Sequence, residues 1–470
     1  MSGAAQQFRR DAAAKAVDLE HRAVIRKNMD TYEAAVALGK KRFADWEAAR
    51  QRCHEVKWEA INHLDRYLVA FERKVKERGG HVFWAATPEQ ARNYVAELAA
   101  SRKVKTIVKS KSMVTEEVQL NPELEKRGIR VWETDLGEYI VQLRNEPPYH
   151  IVTPAMHLDR EQILALFREK IPEDVTGESH EELVSAARRA LRRAFFSAEM
   201  GISGANFLVA DAGMVAISTN EGNARLCTSV PPIHVVFAGI EKVIPRMQDL
   251  ATLWPVLATA GTGQPITTYS TLIGGPRQAD ERDGPTEFHV ILLDNGRSKL
   301  LFDVEQRDVL YCIRCGACLN ACPVYRNIGG HAYGTTYQGP IGAVLTPHLR
   351  GLDEWNHLSY ASSLCGNCTQ VCPVKIDLAH HLLHNRRNAV HASKRPLPER
   401  LGMRFWRWAM MSGTRFRLLG TLGRMTLLTL YGAGAQHTAL DPLKPWTRER
   451  EAPPVAPISF HDIWRKNGGR

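Results

Sequence analysis

The run Cys312-x2-Cys315-x2-Cys318-x3-Cys322-Pro323, followed by Cys365-x2-Cys368-x3-Cys372-Pro373, constrains this chain more than any other feature. Two-residue spacings let three sulfurs converge from one tight turn, and the closing proline turns the chain away. Soft thiolates at that spacing suit iron–sulfur cubanes, because sulfur stabilises iron in both oxidation states. The first run matches the bacterial ferredoxin spacing, and in two-cluster proteins of that kind the fourth cysteine of a run serves the other cluster. That rule gives Cys312, Cys315, Cys318 and Cys372 to a first 4Fe-4S cluster and Cys322, Cys365 and Cys368 to a second. The expected fourth ligand of the second falls three residues before Cys365, where Ser362 stands. Three forms fit: a 3Fe-4S cluster on three thiolates, a 4Fe-4S cluster with a non-cysteine ligand, or a cubane with one iron open to water or substrate. His380, His381 and His384 could substitute, but they read as residues of a helix face, and Ser362 is the better candidate. A pair of zinc sites is the competing reading of C-x2-C pairs. Zinc rarely uses four cysteines in one x2-x2-x3 run, and an odd seven suits shared cubane ligation better. Ile313, Ala317, Leu319, Val371, Val374 and Ile376, between and beside the ligands, would shield the clusters and help set their potential.

The surroundings of these cysteines decide how to read them. At 470 residues the chain exceeds a single core and predicts two or three domains. With 44% hydrophobic and 24% charged residues it excludes a disordered or polytopic membrane protein. No apolar run approaches the roughly 20 residues that span a bilayer. The opening MSGAAQQFRRDAAAKAVDLEHR lacks an apolar signal core, so Arg9-Arg10 is not read as an export signal and a cytoplasmic chain is expected. Thiols stay reduced there, which favours metal ligation over disulfides. Seven of nine cysteines lie between Cys312 and Cys372, leaving Cys53 and Cys227 as ordinary buried thiols. The net charge of +11 is local too: Arg386 to Arg424 holds ten basic residues and one acid, Glu399. The rest is close to balanced, and no nucleic acid partner is expected.

Periodicity divides the chain into four parts. Residues 1–78, rich in Ala, Glu, Lys and Arg with apolar residues at helical spacing, predict a helical lead-in. Residues 79–300 alternate β-rich runs (VKTIVKS, IRVWETD, ANFLVADAGMVAIS, HVVFAGIEKVI) with amphipathic stretches, which predicts an α/β domain with a largely parallel sheet. Residues 301–392 form the cysteine region, and 393–470 a basic helical region and tail. In that last part Arg404, Arg407, Arg415, Arg417 and Arg424 interleave with Phe405, Trp406, Trp408 and Phe416. Such a helix suits peripheral contact with an anionic membrane, or docking on protein with its arginines facing solvent or an acidic subunit.

Other motifs are sparse. The glycine clusters near Gly201, Gly222, Gly261 and Gly274 complete neither a Walker A motif nor a dinucleotide fingerprint. No nucleophile elbow, HExxH or C-x3-C-x2-C pattern supports a hydrolase, zinc protease or radical enzyme. Ser110, Lys111 and Ser112 follow a predicted strand and precede a helix, where α/β folds bind ligands, and are the substrate candidates. A solvated helix start capped by Ser112 or Thr115 explains the same residues equally well.

With KSKSMVTEEVQLN, WETDLGEYIVQL, ADAGMVAISTNEGNARL, SVPPIHVVFAGIEK and the cysteine segments in view, the chain resembles the lactate utilization protein B family, the iron–sulfur proteins of the bacterial L-lactate oxidation operon. The resemblance implies an α/β lactate-utilisation domain similar to the sugar-isomerase and CoA-transferase group, then an α-helical ferredoxin domain and a short C-terminal domain. It further implies an oxidoreductase subunit, acting with two sister proteins in an L-lactate oxidising complex that makes pyruvate. One sister carries cysteine-rich repeats and the other a second lactate-utilisation domain, and a quinone is a candidate acceptor. Fold likeness does not transfer CoA-transferase catalysis, and no motif here, Glu221 included, matches the catalytic glutamate of that group. The expected role is electron transfer through the clusters. A ferredoxin-type subunit of another hydroxy-acid or glycerol-3-phosphate dehydrogenase, a catalytic cluster binding the hydroxy acid near Ser362, and a redox-sensing regulator are the alternatives.

Overall fold

Ten strands lie between His81 and Leu293 in the computed structural model, which describes residues 2–392, 397–447 and 450–468. They are β1 (His81–Ala85), β2 (Thr106–Lys109), β3 (Arg130–Glu133), β4 (Met200–Gly204), β5 (Phe207–Val209), β6 (Met214–Thr219), β7 (Ile233–Gly239), β8 (Val243–Ile244), β9 (Tyr269–Ile273) and β10 (Glu287–Leu293). Six form one sheet in the order β1-β10-β7-β4-β2-β3, every pairing parallel. All seven residues of β7 are buried, as a strand covered on both faces requires. Its side chains alternate: Ile233, Val235 and Phe237 share one apolar core with Ala91, Val95 and Ala99 of the helix Pro88–Ser101, and Val236 and Ala238 belong to the core on the opposite face. That helix starts on the side-chain cap Thr87 with proline in its first turn, and the helix His180–Ser197 starts on a Ser179–Glu182 capping box.

The remaining strands depart from a single sheet. ANFLVADAGMVAIS is a hairpin, β5 against antiparallel β6, in a second sheet of order β8-β5-β6-β9. The ADAG segment makes the reversal: Gly213 sits at φ +61°, and a Cβ there would lie 2.3 Å from Lys74 Cβ. HVVFAGIEKVI likewise supplies two strands, β7 and β8, separated by the short turn Ile240–Lys242.

The lead-in forms the helices Gly3–Val17, Leu19–Lys40, Trp46–Asn62 and Leu64–Glu77. Ile25, Met29, Val56 and Phe71 from them share one apolar core with Val243 of the second sheet and with Leu310, Ile313 and Tyr325 of the cysteine region. Trp46–Asn62 also holds the second cysteine run directly: Arg50 donates twice to the Cys372 carbonyl (3.0 and 2.7 Å), and His54 Nδ1 lies 3.0 Å from the Val374 carbonyl. Cys53 and Cys227 are fully buried, and burial pushes both thiols up to about 12, which makes them inert.

The described residues up to 392 form one compact unit and those from 397 another. The second contains the helices Leu397–Met410 and Gly413–Gly432, with Arg415 stacked over the Trp408 ring at 4.8 Å and donating to its carbonyl at 2.8 Å. Among the described residues no helix is long and apolar enough to cross a membrane.

Candidate iron–sulfur centre and adjoining cavity

The two cysteine runs fold as copies of one turn. Arg314-Cys315-Gly316 and Leu364-Cys365-Gly366 place the residue before the cysteine at φ +61° and +56° and the glycine after it at +82° and +79°. Short helices, Ala317–Asn320 and Asn367–Val371, follow each. In this repeat Ser362 occupies the place of Cys312. Left-handed backbone at Arg314 and Leu364 is costly for residues with a Cβ. Left-handed residues accompany the peptide N–H groups that point at sulfur: Arg314 N–H donates to Cys312 Sγ, and Ile376 N–H, after Lys375 at φ +55°, to Cys372 Sγ, each at 3.4 Å.

The seven thiols fall into two neighbourhoods, and Cys322 shares a cavity wall with Cys365 and Cys368 of the other run. Burial pushes Cys372 up to about 12, with Cys312 adding to the rise. Burial likewise raises Cys318, and Cys312, Cys315 and Cys372 raise it further; Cys315 responds in the same way to Cys372 and Cys312. In the other set burial and then Cys322 and Cys365 lift Cys368 to about 11, and Cys365 adds to the burial of Cys322. Thiols held protonated by burial and by one another release those protons to a bound metal. Cys365 alone is exposed, and the Asn367 N–H and then the Ser363 side chain lower its pKa.

Ser362 lines a small cavity together with Cys322, Cys365 and Cys368, its Oγ accepting from Leu364 N–H at 3.1 Å. His380, His381 and His384 lie on the helix Leu378–Ala392; His381 Nε2 is 2.9 Å from Asp308, and His380 stacks edge-on with His384. The thiols, their N–H donors and the buried Ile313, Leu319, Val374 and Ile376 make a donor set and an apolar shell that fit iron–sulfur clusters.

A cavity of about 690 Å³ opens at the C-terminal edge of the parallel sheet, and Cys315 lies in its wall. Close approach builds this junction: a Cβ on Gly261, in the helix Leu250–Thr262, would lie 2.7 Å from the Cys315 carbonyl oxygen. Ser110, Lys111 and Ser112 all line the cavity, as does Glu221. Both readings of the serines and lysine therefore meet here, because Ser112 Oγ caps the helix Met113–Glu117 and the Lys111 ammonium is bonded to the Val152 carbonyl. Glu221 Oε2 accepts from Leu136 N–H at 3.1 Å.

Sequence reasoning missed the ionic groups beneath the cavity. Arg297, fully buried, donates to Glu241 (2.6 Å) and with two nitrogens to Glu117 (2.9 and 2.7 Å). Glu241 also receives Arg314 at 3.3 Å, and Tyr337 Oη donates to Glu117 at 2.7 Å. Burial opposes ionisation of Glu241, yet Arg297 and Arg314 hold it at about 2. Lys57 donates to the Glu241 carbonyl at 2.5 Å, and Lys242 enters the cavity wall. The only signals in sequence were an arginine inside the cysteine run and an acid–base pair, Glu241-Lys242, closing an apolar strand.

Buried histidines give this region a pH dependence. His150 Nδ1 accepts from Val152 and Thr153 N–H (3.1 and 3.2 Å), and burial, then Lys111, lowers its pKa from 6.5 to about 3. His234, bonded to Ser203 Oγ at 2.8 Å, is lowered to about 3 by burial and then His289. A depressed folded pKa gives stability that is present above the unfolded value near 6.5 and is lost as pH falls towards 3. Urea midpoints are therefore expected to fall steadily below pH 6.5, and more shallowly in His150→Gln.

Comparison with known proteins places these parts. The LUD domain family matches residues 68–293, the 4Fe-4S dicluster domain family 308–376, and the lactate utilisation protein B C-terminal family 384–469. The chain is 44% identical over 443 residues to a lactate utilization protein B of Anoxybacillus flavithermus, covering 93% of this chain and 91% of that one. It is 43% identical over 428 residues to a lactate utilization protein B of Bacillus cytotoxicus, covering 90% of each. A crystal structure of a DUF162 family protein from Deinococcus radiodurans aligns over 49% of this chain and 98% of its own, at 11% identity and a TM-score of 0.28, too low to bear on the fold. By its match over most of the length of these relatives, the chain belongs to the lactate utilization protein B family.

Proposed function

We propose that this chain is the iron–sulfur electron-transfer subunit of a complex that oxidises L-lactate to pyruvate. Cys312, Cys315, Cys318 and Cys372 would hold one 4Fe-4S cluster, and Cys322, Cys365 and Cys368 a second, with Ser362 at its fourth position. The observation that carries the reading is that Cys322 of the first run lines one small cavity with Ser362, Cys365 and Cys368 of the second, which supports an exchange of the fourth cysteine between runs. Bound clusters supply one-electron storage and transfer, which suits the two electrons released when lactate becomes pyruvate. The chain's own residues do the rest: N–H donors steady the sulfurs, apolar side chains exclude water, and the wall containing Cys315 opens the first set to the cavity. The family name of the relatives supports the substrate, and sister subunits, one with cysteine-rich repeats and one with a second lactate-utilisation domain, complete the complex. The basic helices Leu397–Met410 and Gly413–Gly432 offer a surface to a sister subunit or to a quinone-bearing membrane at the cytoplasmic face.

The test is an anaerobic mixture of this chain with its sister subunits. L-lactate is expected to bleach the iron–sulfur absorbance of this chain, and dithionite to bleach it fully. Bleaching by dithionite but not by lactate would overturn the lactate assignment. Ser362→Cys is expected to change only the second cluster's EPR signal, leaving the first unaltered, because Ser362 lines the cavity of Cys322, Cys365 and Cys368 alone.

A further inference from the structure

Two cations, Lys242 and Arg314, stand together in the wall of the 690 Å³ cavity beside Glu241 and the Cys312 thiol, whereas the wall's own acids, Asp135 and Glu221, lie beside Lys111. Lys242 is 6% exposed and lies in the wall, yet no hydrogen bond or ion pair to its ammonium occurs among the described residues. Arg314, also in the wall, gives one nitrogen to Glu241 at 3.3 Å, while its Nε and Nη1 are buried without a partner. The two buried carboxylates are already engaged by Arg297. An unpaired buried cation is expensive, so such a site is completed by an anion. The same wall carries two neutral groups without partners, Ser218 Oγ and Asn223 Oδ1, a donor and an acceptor suited to an oxygen substituent.

We propose that this cavity is the substrate site, binding a small 2-hydroxy monocarboxylate with its carboxylate on Lys242 and Arg314 and its 2-hydroxyl at Ser218 and Asn223. The inference rests on the lactate reading above and places the substrate on this chain rather than on a sister subunit. With Cys315 in the same wall, the bound acid lies beside the first thiol set. Chain length is loosely specified, because the volume far exceeds that of a three-carbon acid and the wall includes Met113, Ile140, Ile151 and Leu257.

The test is calorimetric titration of the full chain, purified without oxygen and with its iron counted, using L-lactate and its uncharged amide, lactamide. Saturable binding of lactate but not of lactamide is expected, weakened about tenfold or more in Lys242→Met and in Lys242→Gln at unchanged iron content. Equal binding of both probes, or equal lactate affinity in wild type and Lys242→Gln, would overturn the proposal. So would a Lys242 variant that shifts a cluster midpoint potential while lactate affinity stays the same, since the cation would then serve the cluster. If lactate reduces the reconstituted complex but does not bind this chain, the site is wrong and the electron-transfer reading stands.

Discussion

Cys372→Ala is expected to remove the same cluster as Cys318→Ala, although Cys372 belongs to the other run. Its thiol feels Cys312 and raises Cys315 and Cys318, while Arg50 and His54 fix the turn that presents it. Cys322→Ala is expected to pair in the same way with Cys368→Ala. Each variant should lose about half of the iron, and the EPR signal that survives should match within the pairs 318/372 and 322/368. If Cys372→Ala instead matched Cys368→Ala, each run would hold its own cluster and the exchange would be wrong. Loss of one cluster in either pair should abolish lactate-dependent reduction in the complex.

The second large effect is expected at Arg297. Its guanidinium joins the ends of three regions of the sheet edge: Glu117 after β2, Glu241 after β7, and its own loop after β10. Arg297→Met would leave Glu117 with only the neutral donors Asn295 and Tyr337, and Glu241 with Arg314 as its remaining partner. Removing one member of a buried ion network costs about 3–5 kcal/mol, because the partner charge stays buried. Urea unfolding should show that loss, and adding Glu117→Gln to Arg297→Met should recover part of it. A loss below about 1 kcal/mol would mean that the network is solvated rather than buried.

Sequence reasoning reached furthest where spacing alone sets geometry. The x2-x2-x3 runs named the ligand candidates, and the missing cysteine at 362 could be located because the two runs are copies of one turn. Alternating runs predicted the parallel sheet, since β7 and its neighbours need apolar residues on both faces. The second sheet was hidden because ANFLVADAGMVAIS reads only as a β-rich run, and its reversal depends on Gly213 at positive φ. Lys111 stood out as a cation in a loop, but its ammonium is taken by the Val152 carbonyl, while Lys242, inconspicuous after an apolar strand, makes no hydrogen bond or ion pair among the described residues. Glu117, Glu241, Arg297 and Arg314 could not be grouped from sequence, because parallel strand ends bring together residues with no common local pattern.

Low-temperature EPR of protein purified without oxygen, as isolated and after dithionite, with iron, sulfide and zinc counted on the same sample, tests the central claim most directly. Two clusters on seven cysteines and Ser362 should give about seven or eight irons and no zinc. Interacting spins on reduction would mark two cubanes, and an oxidised-state signal would mark a 3Fe-4S centre at Ser362. Stoichiometric zinc without an EPR signal would contradict the electron-transfer account altogether.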